Sequence, residues 1–295
     1  MASTNDFKNK ITHGDVVEKI KQIEDESVDI IIADPPYNIG KDFGNNFDTW
    51  TMPEYVLWCD SWIAECKRVL KPTGSFFIYG FSEILAHISV RIEMPQRWLI
   101  WHYTNKNVPT LNSWQRSHEA LIYAWKQNPV FNRDKVREPY TEGFLNGAAG
   151  KSRKGTVGRF SKNGLETVYN AHQGGALPRD VIKIPALAGG AGKSERWFIC
   201  DTCDLVLEPS KLKEHADHET MKHPTQKPLE LGRKLIASAA PAEKGMVLIP
   251  FAGTGSECCA AKLEGLDFMG FELNEKYIRL ANGYLESIKV EPKLF

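Results

Sequence analysis

Long apolar runs are missing from this chain of 295 residues. None reaches the roughly 18–20 residues needed to cross a bilayer. Met1 to Asp6 also lacks the charged-then-apolar pattern of an export signal. These absences set aside membrane-spanning and exported proteins, so the expected location is cytoplasmic, with no membrane partner. Net charge is absent too, because 37 Lys and Arg offset 37 Asp and Glu. A uniformly basic polyanion binder is thereby excluded. No internal repeat or heptad pattern occurs, which removes solenoids and coiled coils. What remains is a chain long enough to bury a sizeable core as one domain carrying an insertion.

The most informative segment is Asp34-Pro35-Pro36-Tyr37, directly after the apolar run Val28–Ala33. Such a run, ending in a carboxylate and two prolines, reads as a buried parallel strand opening into a rigid loop. The prolines fix φ and lack N–H groups, so the loop neither extends the strand nor starts a helix. It can present a carboxylate, a free carbonyl and an aromatic face to a planar, amino-bearing ring. Taken alone, the same four residues also suit a Pro-Pro turn with a capping Asp.

A second buried strand, Gly245–Phe251, runs into Ala252-Gly253-Thr254-Gly255-Ser256 and a helical pattern over Glu257–Leu263. Glycines at a strand-to-helix turn let a ligand approach the backbone. No Gly-Lys-Ser/Thr follows, and the third glycine of a dinucleotide fingerprint is missing. A third strand, Phe268–Phe271, ends at Glu272, placed to accept hydrogen bonds from a ribose. A ribose-binding acid without a phosphate loop favours S-adenosylmethionine over a nucleotide. On its own, Glu272 also suits a surface acid at a strand end.

The order of these loops, target loop first and cofactor loop last, resembles the beta group of DNA amino-methyltransferases, in the Asp-Pro-Pro-Tyr version associated with adenine. Four further segments carry the likeness: Gly14-Asp15, Gly74–Gly80, Trp98–Trp101 with Asn105-Lys106-Asn107 and Arg116–Tyr123, and His223–Pro228. The resemblance implies an α/β fold: a doubly wound, mostly parallel seven-stranded sheet, circularly permuted, with an inserted target-recognition region. It implies methyl transfer from S-adenosylmethionine to the exocyclic amine of an adenine flipped out of double-stranded DNA. Asp34, Pro35, Pro36 and Tyr37 would be catalytic, Tyr37 stacking on the base while Asp34 and the Pro35 carbonyl accept its amino hydrogens. Asp15, Asp34, Thr225, Lys227, Phe251, Gly253, Gly255 and Glu272 would bind the cofactor. One departure is Ile249, where the family often has an acid that helps hold the methionine ammonium; Asp34, Asp15 and Glu257 are the candidates to replace it. Methylation of the cytosine amine is an alternative that Ser at position 34 would have favoured. A non-catalytic specificity partner predicts a damaged catalytic loop. No cysteine follows a proline in the setting that attack at a cytosine ring carbon needs.

Charge is unevenly spread. Between Asp15 and Glu65 twelve acids face three lysines, whereas between Lys126 and Lys183 eleven Lys or Arg face five acids. The basic stretch, with Gly-rich runs such as Gly147–Gly155, reads as a DNA-contacting insertion. Residues 1–126 form the catalytic half, 127–222 the inserted recognition region, and 223–295 the cofactor half. Cys59, Cys66, Cys258 and Cys259 read as buried thiols. Cys200 and Cys203, followed by His215 and His218, approach zinc-finger spacing, though the two histidines stand closer together than usual. A structural zinc and a hairpin with two free thiols both fit; His223 is expected on the cofactor side. Oligomeric state is open, a homodimer included.

Overall fold

The computed structural model describes residues 4–40, 49–105, 109, 111–154, 157, 166–188 and 190–290. Lys106, Asn107 and Gly155 lie outside them. The chain divides into two compact units, Met1–Phe131 with Asp180–Phe295, and Asn132–Arg179.

The first unit is built on one large sheet. Its strands are β1 (Lys10–His13), β2 (Val28–Ala33), β3 (Leu70–Gly80), β4 (Gln96–His102), β5 (His118–Trp125), β8 (Val181–Lys183), β12 (Met246–Ile249) and β13 (Asp267–Glu272), β6 and β7 belonging to the second unit. They lie in the order β1-β13-β12-β2-β3-β5-β4-β8. All neighbours are parallel except β3 with β5 and β5 with β4. The sheet has eight strands among the described residues, one more than the resemblance implies. The eighth, β8, comes from the stretch read as an insertion and pairs with β4 at the sheet edge. With only Ile182 of its three residues buried, it offers too little pattern to register as a strand.

The strand run β2 shows why the sheet is covered on both sides. Ile30 and Ile32 enter one core cluster, while Ile31 and Ala33 enter the other, as the period of two requires. Its one polar residue, Asp29, is compensated locally: Lys71 Nζ lies 2.8 Å away and the Met246 amide donates at 2.8 Å. Helix α3 (Met52–Val69) follows the Asp34–Tyr37 loop and starts at a capping box, with Glu54 Oε2 accepting from the Thr51 amide at 3.0 Å. Helices α7 (Leu229–Ala239), α8 (Ser256–Glu264) and α9 (Glu275–Ser287) surround β12 and β13, α8 and α9 packing directly on these strands.

The feature that places the site is the pairing of β2 with β12, Val247 opposite Ile30 and Leu248 opposite Ile31. Loops leaving the carboxyl ends of adjacent parallel strands emerge side by side, the usual position of a ligand in such sheets. Asp34–Tyr37 and Pro250–Gly255 are therefore neighbours.

The expected insertion 127–222 is not one body. Its compact part is 132–179, with a 3₁₀ turn at Arg133–Val136, helix α5 (Glu142–Gly147) and the hairpin β6 (Ser152–Lys154) with β7 (Glu166–Val168). Tyr140 stacks on Phe144 at 4.5 Å, and Arg137 donates to the Gly175 carbonyl at 2.7 Å. Residues 180–222 belong to the first unit instead. They carry the small sheet β10-β9-β11, made of β9 (Phe198–Cys200), β10 (Leu205–Leu207) and β11 (Thr220–Met221).

Candidate active site

Asp34 leaves β2 with both carboxylate oxygens engaged. Oδ1 accepts from the Tyr37 hydroxyl at 2.6 Å, and Oδ2 from Lys227 Nζ at 2.7 Å. Glu119, projecting from β5, shares both donors: its Oε2 lies 3.1 Å from the Tyr37 hydroxyl and 3.4 Å from Lys227 Nζ. Its other oxygen accepts from the Tyr103 hydroxyl at 2.6 Å. Two carboxylates thus share one ammonium and one phenol. Tyr55 donates to the Pro36 carbonyl at 2.7 Å and ties the loop to α3.

Burial sets the electrostatics. It would push Lys227 down, but Asp34 and then Glu119 reverse the effect and hold its ammonium above the ordinary value. Burial raises the Asp34 carboxyl, opposed by the charge of Lys227. The Tyr37 phenol is pushed far up by burial and then by the two carboxylates, so it stays a donor.

The expected stacking face of Tyr37 is only partly available. The residue is 5% exposed, its ring set edge-on to Phe81 at 5.1 Å, with the hydroxyl tied down. It still borders a cavity of about 430 Å³ between the two loops, together with Asp34, Phe251, Gly253, Glu257 and Glu272. That size suits a small-molecule ligand.

On the cofactor side, Gly253 has φ +50° and donates its amide to Glu272 Oε2 at 2.9 Å. Glu272 Oε1 accepts from the amides of Leu273 and Asn274 at 2.9 and 2.8 Å. Burial raises the Glu272 carboxyl against the pull of these amides. Oε2, with one amide donor, retains capacity for a hydroxyl. Gly255 does not border the cavity. It caps α8 at φ +75°, and a Cβ there would lie 2.9 Å from the Ala281 Cβ, so its role is turn and packing.

Asp15 and Thr225 both border the cavity. The Asp15 side chain is also the cap of a short helix, Val16–Ile20, accepting from the Val17 amide at 2.9 Å. Lys227 borders the cavity too, yet its charge is engaged by Asp34 and Glu119. Phe251 packs against Trp58 and Trp62 at 5.6 and 5.3 Å. Trp50 and Trp58, which line the cavity, and Glu119 have no role in the sequence reading. For Glu119 the available signal was an acid directly before the apolar run Ala120–Trp125 of β5.

Ile249 is 1% exposed and belongs to the core. Nearby, Glu257 is 4% exposed. Its Oε2 accepts from the Ser256 hydroxyl at 2.7 Å, while its Oε1 is buried with no hydrogen-bond partner among the described residues. Burial, then the charge of Asp34, pushes this carboxyl up to about 7.

The metal-ligand candidates come together. One ligand atom from each of Cys200, Cys203, His215 and His218 lies within 4.8 Å of the others. His223 is elsewhere, its ring against Tyr277 at 4.6 Å and under Gly253. The other four cysteines are buried free thiols, as their sequence contexts imply.

Residues 28–283 match the N6/N4 methyltransferase family, described as DNA methylase, and the chain belongs to that family. It is 30% identical to the DNA adenine methyltransferase YhdJ of Escherichia coli (strain K12), over 92% of this chain and 80% of that one. It is 30% identical to the type II methyltransferase M.HinfI of Haemophilus influenzae, over 98% of this chain and 71% of that one. In fold it is similar to the PvuII DNA methyltransferase (cytosine-N4-specific), with TM-score 0.64 and 14% identity over 95% and 87% of the two chains. It is also similar in fold to a putative DNA modification methylase from Thermus thermophilus complexed with S-adenosyl-L-methionine, with TM-score 0.55 and 18% identity over 95% and 94%.

Proposed function

We propose that this DNA methylase moves a methyl group from S-adenosylmethionine to the exocyclic amine of a flipped adenine in duplex DNA. The observation that carries the reading is the pairing of β2 with β12, which puts the Asp34 carboxylate and the Gly253–Glu272 ligand pair on one cavity. Bound there, S-adenosylmethionine supplies an electrophilic methyl group on a cationic sulfur.

The residues of the chain do the rest. Glu272 Oε2 accepts from a ribose hydroxyl, and Phe251 with Trp58 supplies an apolar wall. The unsatisfied Oε1 of Glu257 accepts from the methionine ammonium. Asp34 and Asp15 are less suited, since Asp34 already serves two donors and Asp15 caps a helix. The target base leaves its stack at a cost of about a few kcal/mol. The Tyr37 hydroxyl then passes wholly to Glu119, which frees Asp34 Oδ1 for the base amine and lets the ring meet the base. Lys227 stays on Oδ2 and keeps the carboxylate ionised. Asp34 Oδ1 and the Pro35 carbonyl take the two amino hydrogens, which aims the nitrogen lone pair into the cavity. Holding two reactants in line accounts for much of the rate in such a scheme.

The unit 132–179, with nine Lys or Arg against four acids, is assigned the DNA backbone contact. Cys200, Cys203, His215 and His218 are assigned a structural zinc. Methylation of the cytosine amine is the second reading, favoured by the fold likeness to a cytosine-N4 enzyme; Asp at position 34 favours adenine. Incubation with labelled S-adenosylmethionine and assorted duplexes, followed by nucleoside analysis, tests both. N6-methyladenine is expected; N4-methylcytosine, or no transfer to any duplex, would overturn the adenine assignment.

A further inference from the structure

We propose that the zinc centre is a brace for the cofactor-binding face, so that metal occupancy sets affinity for S-adenosylmethionine. The inference rests on the cofactor reading above.

The ligand set fits a cation better than hydrogen bonds. His218 Nδ1 lies 3.4 Å from Cys200 Sγ, 3.1 Å from Cys203 Sγ and 3.2 Å from His215 Nδ1. One ring nitrogen cannot satisfy three such neighbours, whereas one cation between them satisfies all. Tetrahedral zinc bonds of about 2.3 Å to sulfur and about 2.0–2.1 Å to nitrogen put ligand atoms roughly 3.3–3.8 Å apart. The Cys203 amide also donates to Cys200 Sγ at 3.4 Å, which fixes the turn that carries both sulfurs. Four protein ligands leave no open position, so the centre is structural.

Its location is what gives it a function. The turn that carries both thiols also grips α9. Asp201, next to Cys200, pairs with Lys276 at 2.7 Å, and Asp204, next to Cys203, pairs with Arg279 at 2.6 Å. Val206 packs where a Cβ on Gly283 would come within 2.7 Å, so only glycine admits this approach. Trp197 stacks on Tyr284 at 5.2 Å.

Helix α9 in turn fixes the cofactor loop. Its Tyr277 packs on His223, which lies against Gly253, and its Ala281 lies against Gly255. Its cap residue Asn274 donates its amide to Glu272. A metal that holds the turn rigid therefore holds the helix that positions Gly253 and Glu272. By reciprocity, bound cofactor should also tighten the metal.

The test uses the purified full chain. Metal analysis should find one zinc per chain, and S-adenosylmethionine should slow its release to a chelator. Chelation or Cys203→Ser should weaken cofactor binding by about tenfold, an ordinary size for coupling between two sites. Lys276→Ala with Arg279→Ala should keep the zinc and still lose cofactor affinity, which covers the case where the metal-free protein aggregates. Hydrogen exchange at α9 amides reads the brace without cofactor, and protection lost on chelation is expected. Zinc-free protein with both thiols freely titratable would overturn the centre. Bound zinc whose removal leaves both cofactor affinity and α9 protection unchanged would overturn the brace. A protein that holds zinc and loses α9 protection on chelation, yet never binds S-adenosylmethionine, would overturn the cofactor reading instead.

Discussion

Lys227 Nζ sits 2.7 Å from Asp34 Oδ2, across 193 positions of sequence, and the lysine is 2% exposed. A buried ammonium in this setting is stable only while its carboxylates are ionised. The Asp34–Tyr37 loop and the segment before α7 are therefore locked together by charge, with the Asp34 carboxyl beside the cavity.

Asp34→Asn should lower methyl transfer by about 10²–10⁴-fold, the usual loss when a positioned proton acceptor is removed. Cofactor affinity should stay within a few-fold, because Gly253, Glu257 and Glu272 carry that ligand. Labelled-methyl transfer and calorimetric titration measure the two separately. A large loss of cofactor affinity would instead assign the methionine ammonium to Asp34.

Lys227→Met should destabilise the protein by about 3–5 kcal/mol, since it leaves two part-buried carboxylates without their shared, fully buried cation. Denaturant unfolding at neutral pH checks the value. The loss should shrink at acid pH, where protonation relieves the repulsion; an equal loss at both pH values would contradict the assignment.

The catalytic loop and the glycine loop were legible because each is a contiguous motif on a buried run. Their adjacency was not, since it depends on β12 lying beside β2. Glu119 was invisible as a partner of Asp34 for the same reason: β5 reaches β2 only through β3. The zinc ligands could be named from spacing, but not their address. The boundary at 127–222 put Cys200–His218 in the insertion, whereas the ion pairs Asp201–Lys276 and Asp204–Arg279 tie them to α9, 75 residues onward. At Gly255 the sequence shows no sign of the packing constraint that the approach of Ala281 adds.

Glu257 gives a pH signature. Its carboxyl is raised from 4.5 to about 7, chiefly by burial. Between those values the folded apoprotein holds a proton that the unfolded chain has released. This stabilisation is therefore full below 4.5 and lost as pH rises through about 7. Cofactor binding should show the opposite trend, because the methionine ammonium favours the ionised form. Affinity should rise up to neutrality and then level, with proton release on binding. Tyr79, Cys258, Cys259 and Tyr284 are pushed upward by burial and Lys227 is held up by Asp34, so these groups do not titrate there. Asp34 and Glu272 are also raised by burial, so the Glu257→Gln variant is what separates the contribution of Glu257 from theirs. Calorimetry in buffers of differing ionisation enthalpy reads the proton. Glu257→Gln should weaken binding and flatten the pH dependence; a slope retained in that variant would remove Glu257 from the role.

The two loop glycines should fail in different ways. At Gly255 an alanine meets both a left-handed backbone and the Ala281 Cβ at 2.9 Å. The backbone costs about 1–2 kcal/mol, and overpacking about 1–3 kcal/mol more. Gly255→Ala should therefore show mainly as lost stability in denaturant unfolding. At Gly253 the backbone is also left-handed, with φ +50°, but the new Cβ meets only the edge of His223 at 3.2 Å; this residue borders the cavity and its amide holds Glu272. Gly253→Ala should be milder in unfolding and more costly in cofactor affinity, because any shift of that amide moves the carboxylate that receives the ribose. If the two variants show the same ratio of stability loss to affinity loss, the division between a packing glycine and a ligand-facing glycine is wrong.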